Sequence, residues 1–333
     1  MADLIKRLSE VHGVSGGEDS ARKLIIDAIR DKVDDITVDT MGNVIAFKKG
    51  KTRGKTIVVT ASMDEVGLII SEITDKGYLK FKLVGNIDAR KLISKRVITR
   101  GGVKGVIGLK AIHLRTRSDC EVVTKPKDLF IDIGAKDKED AQKRVHLGEY
   151  VTFDTSFGDM GECVKGKALE RSATCSVLIN ALQGEYPHDF YAVFTVQREV
   201  GMRGAWVIAH RLNADVALTV TAADTVDAYG CEAQGIRLGD GVTVSYRDAK
   251  IIGDRELTDK LLVAAKNDGI RAKGGVTSTV TDGGAMYITD TRIISALMPC
   301  RYAQSPVSVM NKSDIEETEK FIKLYLNKIG ELI

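Results

Sequence analysis

The chain has 333 residues, which at roughly 150 residues per domain predicts about two domains with sizeable cores. Hydrophobic residues make up 44% and charged residues 29%, as in ordinary globular proteins and unlike disordered or fibrous ones. The 49 basic and 46 acidic side chains give a net charge of +3. Because this positive excess is small and the charges are evenly spread along the chain, we expect no nucleic-acid partner. No apolar run approaches the roughly 18 residues of a membrane helix, so we expect no membrane partner either.

The N-terminal segment and the cysteines both indicate a reducing compartment. The segment MADLIKRLSEVHG predicts an amphipathic helix, and it lacks the apolar core of a signal peptide. We therefore expect a cytoplasmic protein. The cysteines are odd in number and dispersed, and no pair has C-x-x-C spacing, so disulfides and thiolate zinc sites are not predicted. Buried, reduced thiols are expected at Cys120, Cys163, Cys175, Cys231 and Cys300.

Helical and strand patterns alternate at both ends of the chain. A helix is predicted from near Glu18, where apolar side chains recur three and four residues apart. Near the C-terminus, Ser313 and Glu316 resemble a capping box at the start of another helix. Between these helices, continuous apolar runs indicate strands covered on both faces, at Ile57–Ala61, Tyr191–Val196, Val216–Ala222 and Ile293–Met298. This mixture predicts an α/β fold with a layered sheet.

The middle of the chain has a different pattern. From residue 68 to residue 164 the sequence consists of short β-rich pieces punctuated by glycine, with one short helical stretch near Lys138–Arg144. We interpret this segment as a small β-barrel or β-sandwich inserted into the α/β domain. The predicted domains are therefore 1–67 together with 165–333, and the inserted domain 68–164.

The segments that follow the apolar runs are the expected location of a binding site. Ligands of open α/β sheets bind beyond the carboxyl ends of the strands. SMDEVG (62–67) and QREVG (197–201) follow the first two runs, and PCRYAQSP (299–306) follows the fourth. The third run contains Thr219–Thr221, and GKALERSATCSVL (166–178) would begin a helix beneath the same crevice.

These segments resemble the tetrahedral dinuclear metalloaminopeptidases, the glutamyl or deblocking aminopeptidase family, some of whose members are labelled cellulases. The resemblance covers nearly the whole chain. The matching motifs lie at residues 8–16, 39–46, 128–141, 191–205 and 299–309. The resemblance implies a layered α/β/α peptidase domain with an inserted β-barrel for dimerisation and assembly. It also implies dimers that build a hollow tetrahedral dodecamer.

The resemblance also implies where a metal site would lie. In the family, two zinc or cobalt ions bridged by a water are held by His, Asp and Glu, beside a carboxylate general base. The ligand positions correspond to Ser62, Glu170, Glu199, Thr221 and Gln304, and the general-base position to Arg198. Only Glu199 is unchanged, and Glu170 is a longer substitute for Asp. Because hydroxyl and amide side chains are poor ligands for zinc or cobalt, no metal or other cofactor is predicted.

Two arginines strengthen this prediction. Arg198 and Arg171 stand where the family has acids, and like charges about 4 Å apart repel by roughly 4 kcal/mol at an effective dielectric of 20. The family's supporting Asp64 remains. We expect one of the arginines to form an ion pair with Glu170, Glu199 or Asp64, because buried carboxylates without counter-ions are costly.

Other catalytic patterns are missing from the sequence. It contains no H-E-x-x-H, G-x-S-x-G, G-x-G-x-x-G or P-loop motif, and each of its histidines stands alone. The loop Thr281, Asp282 and Gly283 resembles the family's substrate-side loop, but it also fits a simple turn. The basic stretch Arg90–Arg100 is predicted to be a solvated or subunit-facing surface of the inserted domain.

Three functions stay open at this point. The first is a catalytically inactive family member with a structural or regulatory role, in a homo-oligomer or in a mixed assembly with active relatives. The second is an active metalloaminopeptidase that releases N-terminal residues from peptides through an altered site, with one metal on Glu170 and Glu199. The third is a binding protein whose arginine-lined crevice holds an acidic peptide or another small anion.

Overall fold

The computed structural model describes residues 1–114, 122–231 and 233–333. Its helices are α1 (Ala2–Glu10), α2 (Asp19–Ile29), α3 (Lys138–Gln142), α4 (Leu169–Ala181), α5 (Arg203–Leu212), α6 (Arg255–Asn267), α7 (Gly283–Met286) and α8 (Lys312–Leu332). Short 3-10 helices lie at Ala89–Lys91, Ile112–Leu114, Pro126–Asp128 and Tyr287–Thr289. None of the described helices is both long and apolar enough to cross a bilayer.

The strands belong to a central sheet, a barrel and a small flanking sheet. The central sheet contains β1 (Asp35–Val38), β2 (Val44–Lys48), β3 (Thr52–Ser62), β12 (His188–Thr195), β13 (Val216–Asp224), β14 (Val242–Arg247), β15 (Ala272–Val276) and β16 (Arg292–Cys300). The barrel contains β4 (Gly67–Ile73), β5 (Leu79–Val84), β6 (Arg96–Thr99), β7 (Lys104–Leu109), β8 (Leu129–Asp132) and β9 (Tyr150–Phe153). The flanking sheet contains β10 (Gly158–Met160), β11 (Cys163–Gly166) and β17 (Ser308–Asn311).

The centre of the main sheet is parallel. The sheet order is β1-β2-β12-β3-β13-β16-β14-β15, and β12, β3, β13 and β16 run in the same direction. These four strands are the continuous apolar runs of the sequence. Their side chains are buried on both faces, since parallel sheets are covered on both sides. The carboxyl ends of all four strands therefore meet at one edge of the sheet.

Helices cover both faces of this sheet. Adjacent side chains of a strand point to opposite faces, and both Val58 and Val59 of β3 are fully buried. Val59 belongs to the core that includes α1, α4 and α8, whereas Val58 packs in a second core with Ile208 of α5 and Met286 of α7. The layered α/β/α architecture predicted from the sequence is confirmed.

The inserted segment folds into a closed barrel. Its strands pair in the order β4-β5-β8-β7-β6-β9, and the closing contact is made by β4 with β9. Leu68, Leu79, Ile131 and Val151 are fully buried in its own apolar core. The sequence left a barrel and a sandwich open, and the structure has the barrel. The exact limits of the domain, 68 and 164, stay a prediction.

Several local predictions need correction. The C-terminal helix has no capping box at Ser313: it begins at Lys312, and the side chain of Asn311 accepts a hydrogen bond from the backbone nitrogen of Ser313 at 2.8 Å. The short helix α3 ends at Gln142 rather than Arg144. The basic residues of the stretch Arg90–Arg100 are exposed, as expected.

The cysteines also divide into groups. Cys175 and Cys300 are buried free thiols, as predicted, and Cys163 is half-buried. Cys231 is exposed, so the prediction of a buried thiol there is wrong. It lies in the loop between β13 and β14, away from the packed layers. Cys120 lies outside the described residues.

Candidate functional site

A crevice of about 490 Å³ lies at the carboxyl edge of the parallel strands. Four of the residues singled out in the sequence line it: Glu170 in the first turn of α4, Arg198 and Glu199 beyond β12, and Gln304 beyond β16. The parallel strands thus bring four of the expected side chains together beyond their carboxyl ends, where open α/β sheets bind ligands.

A tight turn places Arg198 and Glu199 in the crevice. The backbone nitrogens of Gly201 and Met202 both donate to the carbonyl of Arg198, at 3.1 and 3.0 Å. Gln197 and Met202 adopt left-handed backbone conformations at the two ends of this turn, with φ of 55° and 56°. These conformations are unfavourable for residues other than glycine, so the turn is held by its surroundings.

Arg198 and Glu199 form a buried ion pair. Nη1 of Arg198 lies 2.6 Å from Oε1 of Glu199, and the two side chains are only 11% and 5% exposed. Nη2 of Arg198 donates to the carbonyl of Val280. This is one of the ion pairs that the sequence predicted. Both Nη atoms of the guanidinium are therefore bound to groups of the chain itself, whereas its buried Nε has no hydrogen-bond partner among the described residues.

Gln304 binds both glutamates of the crevice. Its side-chain nitrogen Nε2 donates to Oε2 of Glu199 at 2.6 Å, and its backbone nitrogen donates to Oε1 of Glu170 at 2.9 Å. Oε2 of Glu170 accepts from Oγ of Ser308 at 3.3 Å. Gln304 has a left-handed backbone conformation, with φ of 51°. Every carboxylate oxygen of Glu170 and Glu199 thus already accepts a hydrogen bond.

Arg171 does not enter the crevice, which corrects the sequence prediction for this residue. Its Nη1 donates to the carbonyl of Met63 at 3.1 Å, and its Nη2 lies 3.4 Å from Oε1 of Glu65. The guanidinium passes against Gly13, where an added Cβ would lie 1.9 Å from Nη1. Lys167 also pairs with Glu65, at 2.8 Å. The ion pair of Arg171 is therefore with Glu65, which the sequence analysis did not consider.

Burial and charge set the protonation of the crevice. Burial raises the pKa of Glu170 and also that of Asp282. Burial by itself would lower the pKa of Arg198, but Glu199 and the other carboxylates around it, including Asp64, raise it by more. Arg198 is therefore a permanent cation among several acidic groups.

The remaining predicted residues lie outside the cavity lining. Ser62 and Thr221 are buried in strands β3 and β13. Oδ2 of Asp64 accepts a hydrogen bond from the backbone nitrogen of Glu199 at 3.0 Å. Asp64 therefore supports the turn from outside the cavity lining. In the loop before α7, Thr281 donates to Asp248 at 2.6 Å.

The other two residues of this loop are equally buried. Asp282 accepts from Thr195 at 2.7 Å, and Gly283 begins α7. The loop is thus buried beneath the crevice, and it leads directly into α7.

The sequence analysis missed two charged residues of the lining, Asp224 and Lys250. Asp224 is the last residue of β13, just beyond the apolar run, so the rule that pointed to the other segments could have found it. Lys250 follows β14, which runs antiparallel to β16. Nothing in the sequence indicated that the loop after this strand contributes to the crevice.

Comparison with known proteins identifies the family. The model of the M42 glutamyl aminopeptidase family matches residues 42–321. A lysyl aminopeptidase of Pyrococcus furiosus is 28% identical over 342 residues, covering 98% of this chain and 97% of the relative. The chain therefore belongs to the M42 glutamyl aminopeptidase family, and the resemblance found in the sequence is confirmed.

Solved structures agree in fold. An aminopeptidase of the archaeon Desulfurococcus kamchatkensis has a TM-score of 0.94 and 30% identity, covering 98% of this chain and 94% of that one. The TET1 peptidase of Pyrococcus horikoshii, described as assembling into a tetrahedron or a large octahedral shell, has a TM-score of 0.89 and 31% identity. That match covers 98% of this chain and 99% of the peptidase.

The five positions that the resemblance assigns to metal ligands carry few donors that suit divalent ions. Ser62, Thr221 and Gln304 carry neutral hydroxyl or amide groups, and the oxygens of Glu170 and Glu199 already accept hydrogen bonds. Among the residues that the structure describes, no group of three or more His, Cys, Asp and Glu side chains is arranged to hold a metal ion.

Proposed function

We propose that this chain is a non-catalytic member of the M42 family, which keeps the peptidase fold and serves as a structural, regulatory or binding subunit in the cytoplasm. The observation that supports this most directly is the side chain of Arg198 at the general-base position, in an ion pair with Glu199 at 2.6 Å. The proposal depends on an arginine standing at position 198 and on the ion pair that it forms with Glu199.

Arg198 is unsuited to the role of a general base. A base must accept a proton from the attacking water, whereas a guanidinium stays protonated in proteins and has no acceptor atom. The neighbouring carboxylates raise the pKa of Arg198 further, beyond the effect of burial. The carboxylate of Glu199 is held by Arg198 on one oxygen and by Gln304 on the other. Arg198 therefore cannot activate a water molecule for hydrolysis in this crevice.

Metal binding would require these contacts to break. The family's zinc or cobalt ions would need the oxygens of Glu199 that now accept from Arg198 and Gln304. Hydrogen bonds between ionised groups are about twice as strong as those between neutral ones. A divalent ion would also lie close to the fixed charge of Arg198, which repels it. We propose that the crevice binds neither ion.

Assembly is expected to survive these changes. The dodecamers and shells of the TET relatives are the model for a homo-oligomer of this chain, with the closed barrel as the assembly domain. The substituted positions lie at the carboxyl edge of the main sheet, so they need not affect contacts made by the barrel. A mixed assembly with active family members is the alternative. Light scattering of the purified chain, alone and after co-expression with an active M42 relative, separates these two outcomes.

The proposed loss of catalysis is tested by an aminopeptidase panel with added cobalt and zinc. The matched control replaces Ser62, Glu170, Arg198, Thr221 and Gln304 together by the residues of the metal-binding relatives. We expect no hydrolysis by the wild-type protein at either metal. Release of N-terminal residues by the wild-type protein, abolished by a chelator, would overturn the proposal and favour the altered metal site.

A further inference from the structure

We infer that His12 makes the N-terminal strap, residues 11–17, sensitive to acid, because protonation of its imidazole releases the strap from the junction between the α/β domain and the barrel. This inference goes beyond the proposed function and does not depend on it. The strap follows α1 and contacts both domains. The burial of an unpartnered imidazole beside cations of the chain itself supports this role.

The strap contacts both domains at the point where the chain enters the barrel. The backbone nitrogen of Gly13 donates to Oε1 of Glu65, in the link between β3 and β4, at 3.0 Å. The backbone nitrogen of Glu65 donates in return to the carbonyl of Gly13 at 2.8 Å. On the barrel side, a Cβ added to Gly17 would lie 2.8 Å from Cδ2 of Tyr150, the first residue of β9. Release of the strap would therefore remove contacts with both domains.

Three buried charges surround the backbone of His12. The carbonyl of the preceding residue, Val11, accepts from Nζ of Lys167 and from Nη2 of Arg171, both at 2.8 Å. Lys167 and Arg171 also pair with Glu65, and all three of these side chains are only 3% exposed. Two cations thus share one carboxylate. The buried cluster is therefore already positive before the imidazole takes up a proton.

The imidazole of His12 lies beside this cluster without a hydrogen bond. Both ring nitrogens, Nδ1 and Nε2, are buried, and neither has a hydrogen-bond partner among the residues that the structure describes. The neutral ring leaves one N–H donor unpaired, whereas the protonated ring would leave two donors and a charge unpaired. Protonation is therefore unfavourable while the strap is bound, and it becomes favourable when the strap is released into water.

Burial and charge lower the pKa of His12. The charged groups that act most strongly on it are one carboxylate and three cations, Glu65, Lys167, Arg171 and Arg100. Burial has the largest effect, the carboxylate opposes it and the cations add to it, so that the pKa of His12 falls from 6.5 to about 4. Arg100 acts from the barrel, where it also pairs with Asp19 of α2 at 2.8 Å.

The strap should therefore open in acid. Once released, His12 regains its ordinary pKa of 6.5, so the bound strap is fully favoured above that pH. Between pH 6.5 and about 4, release of the strap is accompanied by the uptake of one proton. The open fraction should consequently rise by up to about tenfold for each pH unit in this range.

The test is hydrogen–deuterium exchange of the full-length protein from about pH 8 to about pH 4.5, with rates corrected for the intrinsic effect of pH. The amides of Gly13 and Ser15 report on the strap, because both donate to Glu65. The amides of Val58 and Val59 report on the core strand β3. We expect protection in the strap to fall by up to about tenfold per pH unit, with β3 unaffected. Equal loss of protection in the strap and in β3 would overturn the inference.

Variants assign the effect to His12. His12→Gln removes the titrating ring, so the dependence of strap protection on pH should disappear. His12→Phe serves if that variant does not fold, since a phenyl ring fills a similar space and binds no proton. His210→Gln, an exposed change near the end of α5, is the matched control and should keep the wild-type profile. A wild-type profile in both His12 variants would overturn the inference.

A second measurement reports the titration of the ring itself. The slow exchange of the ring C2 hydrogen, followed by mass spectrometry of the N-terminal peptide, gives the pKa of His12 in the folded protein. We expect a midpoint well below the ordinary value of 6.5. A midpoint at or above 6.5 would mean that the bound strap tolerates the protonated ring, which would contradict acid release through His12.

Discussion

The side-chain nitrogen of Gln304 donates a hydrogen bond of 2.6 Å to Oε2 of Glu199. The other oxygen of the same carboxylate receives Nη1 of Arg198, also at 2.6 Å. The family resemblance places Glu199 and Gln304 at metal-ligand positions and Arg198 at the general-base position, and both oxygens of Glu199 are bound to the other two side chains. Arg198, Glu199 and Gln304 therefore form one connected hydrogen-bonded group, in which both oxygens of Glu199 are occupied by side chains of this chain.

Removal of the positive charge at Arg198 should destabilise the protein. Arg198→Glu leaves Glu199 buried beside a second carboxylate, and breaking a buried ion pair costs about 3–5 kcal/mol. The free energy of unfolding, measured by urea denaturation, should fall by that amount. Arg255→Gln breaks an ion pair whose arginine is 85% exposed, and it should have little effect. Equal stability of Arg198→Glu and wild type would show that the ion pair does not matter.

The buried network beneath the crevice should be equally sensitive. Glu65 is 4% exposed and compensates both Lys167 and Arg171, so Glu65→Gln leaves two buried cations without a carboxylate. We expect a loss of about 3–5 kcal/mol in the free energy of unfolding. The exposed pair of Glu256 with Lys260 provides the matched control, Glu256→Gln, which should unfold at nearly the wild-type urea concentration. A loss no larger than in the control would refute this role of Glu65.

Glu170 should make stability depend on pH in a defined direction. Burial raises the pKa of its carboxyl above the ordinary value of 4.5. A group with a raised pKa in the folded state contributes stability below its unfolded pKa, and that contribution is lost as the pH rises through the folded value. Glu170→Gln does not titrate, so its stability relative to wild type should increase as the pH rises from 4.5. Urea unfolding across pH 4.5 to about 8 measures this, and a relative decrease would contradict it.

Restoration of one family residue should not restore catalysis. Gln304→His supplies one imidazole, but Ser62 and Thr221 still lack ligand groups and Arg198 still occupies the base position. Peptidase activity with added cobalt should therefore stay at background. Activity in Gln304→His alone would mean that the substituted positions are not what limits the reaction.

Much of the fold could be predicted because burial leaves a mark in the sequence. The parallel strands are continuous apolar runs, since both of their faces are covered. The inserted barrel was harder, because short glycine-punctuated strands suit a barrel and a sandwich alike. Closure depends on the pairing of β4 with β9, whose residues Leu68 and Val151 are far apart in the chain. The family resemblance supplied the barrel that the pattern alone could not.

The site could be predicted in position but not in its contacts. Glu170 and Arg171 are neighbours in sequence, yet consecutive residues of a helix point about 100° apart. Only Glu170 therefore faces the crevice, and Arg171 meets Glu65 instead. Lys250 was missed because it lies in the loop after β14, and no local pattern in the sequence indicates that this loop contributes to the crevice. The exposed Cys231 similarly depends on a loop conformation that composition does not determine.

The central claim is that the five ligand positions no longer hold the family's metal ions. The most direct test is elemental analysis of the purified protein after it is incubated with cobalt or zinc and dialysed. The variant that carries the residues of the metal-binding relatives at Ser62, Glu170, Arg198, Thr221 and Gln304 serves as the reference. We predict that wild-type protein retains much less than one ion per chain. Two ions per chain in the wild type, lost when Glu170 and Glu199 are both replaced by glutamine, would contradict the account.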